Sequence, residues 1–194
     1  MTNDQLYLHI RVVLGILLGL GITTLLKGIA SIIEHPGRYQ WSWIHMGWVG
    51  WALLTVVTFW WWEYRLAEVT HWTFESYLFI ITYCSSFYLL AVLLFPADVD
   101  EYGSYEAYLL ARRPWFFGLI AVMTLMDLID TSLKGAARWE ALGLAYPLHI
   151  VAMLVIAVFG VVLQDRRAQL VLVITALVYQ IAYLGLQYFT LSSE

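Results

Sequence analysis

The chain has 194 residues, of which 62% are hydrophobic and only 12% charged, and it carries a net charge of −4. Soluble domains average roughly 45–50% apolar and about 25% charged residues, and 10 basic plus 14 acidic side chains are too few to cover a water-facing surface. A soluble fold is thereby excluded in favour of an all-α integral membrane protein; the single cysteine, Cys84, excludes a disulfide framework, and the scattered basic residues exclude a nucleic-acid surface.

A hydrocarbon core of about 30 Å needs roughly 20 apolar residues per helix, and runs near that length recur six times. They predict six transmembrane helices in one bundle, a single domain over 1–194. All six are read as helices because lipid offers no partner to an open backbone.

The first span is predicted from Leu6 to Leu26. Arg11 inside it, and the lack of a small-residue cleavage site before Lys27, mark it as a retained span rather than a cleaved leader. Gly15 and Gly19 form a G-x-x-x-G pair that lets another backbone come close, so this face is the expected contact for a second copy or another membrane protein. Arg11 and Lys27 sit near the two ends and can reach the interface by snorkelling.

The second span, Ile44 to Trp62, is framed by Trp41, Trp43 and Trp48 on one side and by Trp60, Trp61, Trp62 and Tyr64 on the other, the pattern of interfacial aromatic belts. The third, Thr73 to Phe95, carries Glu75, Thr82 and Ser86 at spacings of seven and four, with Ser85 beside them. That spacing puts them on one helix face, expected to point inward. A polar connection, Ala97 to Pro114, follows; its stretch Ser104 to Arg112 is expected to form a short interfacial helix.

In the fourth span, Trp115 to Leu133, two carboxylates lie in an apolar run. At 1.5 Å per residue, Asp127 sits roughly 18 Å and Asp130 roughly 22 Å along the helix from Trp115. Acids near a helix's carbonyl end are disfavoured and need compensation. Lys134, four residues after Asp130, supplies an i to i+4 partner. Asp127 has none nearby and is expected to rely on Lys27, an arginine of a neighbouring span, a water-filled cavity or a bound proton. The fifth span runs from Pro147 to Leu163, and the sixth, Leu170 to Phe189, repeats a polar stripe in Gln180, Tyr183 and Gln187. Such stripes line pathways or simply join helices.

With six spans both termini share one side, carrying Arg11, Arg65, Lys134 and Arg138 against six basic residues opposite, a split too even to orient the bundle. Shifting the chain by 102 residues aligns Arg11 with Arg113, Glu63 with Asp165 and Arg65 with Arg167. This suggests inverted three-helix halves, 1–96 and 112–194, joined by the loop 97–111, as in many secondary transporters.

His45 and His149 open spans of opposite direction and are too far apart to share a haem or metal, and the histidines lack i to i+3 or i+4 metal spacing, so no cofactor or metal is expected. Nor is there an HExxH or a recognisable nucleophile motif. The expected function is a small channel or carrier for protons, cations or a small solute, set in a bacterial inner membrane. Its pathway is expected to use Asp127, Asp130, Glu75, Thr82, Ser86, Gln180, Tyr183 and Gln187, with Lys27 and Lys134 as counter-charges and His149 or His45 in reach. A non-catalytic subunit of a larger complex is the alternative. An intramembrane enzyme assembled from Glu75, Asp127, Asp130 and His149 ranks third.

Overall fold

A computed structural model describes the backbone of residues 3–69 and 71–191, and the side chains of 6–67, 69 and 71–187. Eight α-helices follow one another: α1 Asn3–Glu34, α2 Trp43–Trp62, α3 Phe74–Leu94, α4 Tyr105–Ala111, α5 Arg113–Leu133, α6 Ala136–Leu142, α7 Ala145–Val162 and α8 Arg166–Leu191. Six of them, α1, α2, α3, α5, α7 and α8, are long and apolar enough to cross a membrane. The protein is an all-α, six-span membrane protein.

Local chemistry sets the helix ends. Ser42 and Thr73 cap α2 and α3 through their hydroxyls, and Thr73 forms a reciprocal capping box with Ser76. Ser104 caps α4, the short connecting helix expected between Ser104 and Arg112. Pro147 falls in the first turn of α7, where its missing N–H costs nothing, so the helix starts at Ala145 rather than at the proline. The first span runs on to Glu34 instead of ending at Leu26, because the residues after Lys27 are again apolar and helix-compatible.

Five of the spanning helices close a ring: α2 packs on α3, α3 on α5, α5 on α7, α7 on α8 and α8 back on α2. The sixth, α1, lies outside the ring against α3 and α2. Gly21 and Gly28 bring α1 close to α3 and to Phe95 just after it. A Cβ on Gly28 would lie 2.2 Å from the Phe95 ring and one on Gly21 3.4 Å from the Phe87 carbonyl oxygen, whereas Gly15 is 3.8 Å from Trp60 and Gly19 has nothing within 4 Å. A three-helix repeat would give α5 the same main partner that α1 has in α3, namely α8; α5 instead packs chiefly on α7.

The two ends of the ring differ. At one end the His45 imidazole bonds the Leu94 carbonyl through Nε2 at 2.8 Å and stacks on Tyr105. There Glu106 of α4 joins Ser42 and Arg166, tying the starts of α2 and α8 together. Burial works to raise the Glu106 carboxyl, but the bonds from Arg166 and Ser42 outweigh it and hold it below the ordinary range. At the other end lie the ends of α2 and α5 and the start of α7, and the polar cluster described next.

Candidate functional site

Inside the ring is a cavity of about 150 Å³, lined by residues of all five ring helices, by Lys134 and by α6. α1 contributes none of its lining. Polar atoms face it from one half and aromatic and aliphatic carbon from the other.

The polar half begins with α2. After Trp62 the chain tightens into a 3-10 turn, Glu63–Glu68, and Glu63 continues the buried α2 face of Ala52, Val56 and Phe59 into the bundle. Its Oε1 accepts from Lys134 Nζ at 2.7 Å, and the same ammonium donates to Asp130 Oδ2 at 2.6 Å. Lys134 is 4% exposed and Glu63 3%, so one ammonium is shared between two buried carboxylates. In low dielectric such a triad holds only while its geometry is complete. Glu63 Oε2 and Asp130 Oδ1 are buried with no hydrogen-bond partner among the described residues.

Asp127, one turn earlier on α5, is not part of that triad. Tyr146 of α7 donates to its Oδ2 at 2.9 Å and Tyr83 of α3 to its Oδ1 at 3.4 Å. Thr131 donates in turn to the Tyr146 hydroxyl at 2.8 Å, which fixes that phenol in place. The Asp127 side chain keeps partial exposure because it faces the cavity.

Arg138 enters from α6, a helix bounded by Gly135 at φ 92° and Gly143 at φ 54°, positions where a Cβ would be strained. Its guanidinium lies over the Trp62 ring at 5.0 Å, and Nη1 is buried without a hydrogen-bond partner among the described residues. On the far wall His149 stacks on Tyr183 at 3.9 Å and its Nδ1 lies 3.1 Å from the Tyr179 hydroxyl.

The charges can now be counted. Glu63, Asp127 and Asp130 face the cavity against Lys134 and Arg138, leaving one negative charge in excess when all five are ionised. Within the triad Glu63 and Asp130 outnumber Lys134 by one negative charge, and Asp127, whose direct partners are hydroxyls and not cations, has only Arg138 left among the cavity-facing cations to balance it.

Toward the opposite end the cavity stops. Trp48, Phe116 and Phe117, all fully buried, pack edge-on with centroids 5.0–5.5 Å apart and fill the ring beyond Trp51.

Of the residues expected to form a pathway, the fold gathers Asp127, Asp130, Gln180, Tyr183 and Gln187 around the cavity, with Lys134 as a counter-charge and His149 in reach. Glu75, Thr82 and Ser86 do not line it. The expectation that this face points inward fails for Glu75 and Thr82, while Ser86 is buried. Glu75 sits exposed in the first turn of α3, where water and the helix's positive end accommodate an acid. Thr82 is also exposed; its hydroxyl donates to the Leu78 carbonyl at 2.8 Å and so needs no interior partner. Ser86 is buried but spends its hydroxyl on the Tyr83 carbonyl at 2.5 Å. Lys27 is exposed and does not line the cavity; of the partners expected for Asp127 the structure shows a cavity, with two tyrosine hydroxyls bonded to the carboxylate. His45 lies at the other end of the ring from His149, as expected for spans of opposite direction. Among the described residues no group of three or more His, Cys, Asp or Glu is placed to hold a metal ion.

Glu63, Tyr83, Tyr146 and Arg138 were not anticipated. One signal for Glu63 was present: in a six-span chain the ends of the second and fourth spans share a side, so Glu63 and Lys134 had to lie at the same end. No family model, curated protein or solved structure matches the chain.

Proposed function

We propose that this protein is a small membrane carrier that moves one positive charge, as a proton or small cation, by way of the cavity at Asp127, with a bacterial inner membrane as its setting. The observation that carries the reading is the uncompensated charge: three carboxylates and two cations face one cavity within the membrane-spanning ring. An ionisable group kept in that environment without a counter-ion costs several kcal/mol unless a mobile positive charge visits it. The aromatic layer at Trp48, Phe116 and Phe117 argues for a carrier over an open channel, because passage requires that layer to part.

The test is flux through the full-length chain in liposomes. Wild type should collapse an imposed proton or cation gradient, and Asp127→Asn, which keeps the shape and one of the two tyrosine bonds, should reduce the rate by about tenfold or more. An unchanged rate in the variant removes this carboxylate from the mechanism.

A second reading, a non-catalytic subunit of a larger complex, draws on α1. That helix stands outside the ring, leaves Gly19 open and exposes Leu8, Val12, Ile16 and Leu20. Absence of flux in wild type together with a fixed-stoichiometry membrane partner would favour it.

A further inference from the structure

We infer that the charge accepted at Asp127 is carried on a small organic ammonium, an amine with a hydrocarbon body about the size of one aromatic ring. The inference rests on the reading of the cavity as a site for a single positive charge and names the chemistry of what fills it.

Three features narrow the ligand. The first is volume: a cavity of about 150 Å³ has room for one ring-sized molecule. The second is the oxygen supply. An alkali or divalent cation sheds its hydration shell only where about six oxygens replace it. Around Asp127 the structure offers its two carboxylate oxygens and the hydroxyl oxygens of Tyr83 and Tyr146, which donate their protons to it, a directly bonded cluster of four oxygens. An ammonium needs far fewer acceptors, three at most, and the Asp127 carboxylate, partly exposed in the cavity lining, is an acceptor of the right kind.

The third is the apolar part of the lining. Phe59 packs on Tyr83 at 4.8 Å and on Phe87 at 4.6 Å, and together with Trp51, Ile120 and Met153 they present a continuous aromatic and aliphatic surface to the cavity. A wall of ring faces stabilises a cation and buries a hydrocarbon body at once. A bare proton or metal ion would use none of it.

Calorimetry on the detergent-purified full chain, with benzylammonium chloride, its neutral analogue benzyl alcohol and potassium chloride as probes, tests this. Benzylammonium should bind saturably to wild type, at least about tenfold more tightly than benzyl alcohol. Asp127→Asn should erase that preference, and Phe59→Leu should weaken benzylammonium by about fivefold. Equal binding of ammonium and alcohol, or no saturable ammonium binding by wild type, overturns the inference, and neither result depends on any variant folding. The two readings fail separately. Proton or potassium flux without ammonium binding sinks the ligand class and leaves the carrier; ammonium binding without any flux does the reverse.

Discussion

Lys134 holds two carboxylates from different helices, Glu63 at 2.7 Å and Asp130 at 2.6 Å, in a pocket where all three side chains are almost wholly buried. Removing the ammonium alone leaves two like charges side by side in low dielectric. Lys134→Met should therefore destabilise the protein by about 3–5 kcal/mol, read as a fall in the thermal unfolding midpoint in detergent. Neutralising the carboxylates as well, in a Glu63→Gln, Asp130→Asn, Lys134→Met triple variant, should recover most of that loss. A triple variant no more stable than the single one would show that charge is not what the lysine supplies. Half of this cluster was legible in the sequence. Asp130 and Lys134 are four apart on one helix, and local geometry alone pairs them. Glu63 was hidden behind three tryptophans, where it reads as a boundary charge, although it continues the buried α2 face of Ala52, Val56 and Phe59. Asp127's partners were hidden for a different reason. Tyr83 lies mid-way along the third span and Tyr146 just before the fifth, and only tertiary packing aims both hydroxyls at one carboxylate.

At the scale of helices, small residues at crossing points decide how the ring closes. A Cβ on Gly160 would lie 2.3 Å from the Phe117 ring, and Phe117 belongs to the buried aromatic layer and cannot easily yield. Gly160→Ala should lower the unfolding midpoint, by about 1–3 kcal/mol in free energy. Gly19→Ala, with nothing within 4 Å, should leave it unchanged or raise it slightly. Equal losses in both variants would contradict this account of the α5–α7 crossing. The spans were readable because hydrophobic length is a property of consecutive residues. The connecting helix α4 was readable because Ser104 caps it. Which glycine meets which neighbour was not, since a G-x-x-x-G spacing says that an approach is permitted and nothing about where it happens; Gly21 and Gly28 meet α3, while Gly19 stays open. The helix α6 escaped notice because its 7 residues are too few to show periodicity. Yet it delivers Arg138 to the cavity.

For the molecule as a whole, the ring of five helices around a cavity, with α1 outside, is a long-range property that no stretch of sequence encodes locally. The polar stripe on α8 was visible from the spacing of Gln180, Tyr183 and Gln187 and does face the cavity. The comparable stripe on α3 does not, because a periodic face has a direction only relative to neighbours that the sequence does not place. The functional reading follows from the charge balance that this arrangement creates: one carboxylate more than the cations present, held inside a membrane-spanning bundle. Infrared difference spectra of the full chain in lipid nanodiscs, recorded across a pH step and compared between wild type and Asp127→Asn, test that balance most directly. The account predicts one carboxyl group that exchanges a proton within the bundle, seen as a protonated-acid band in wild type and missing from the variant. Identical bands in the two proteins, or no titrating carboxyl band in wild type, would contradict it.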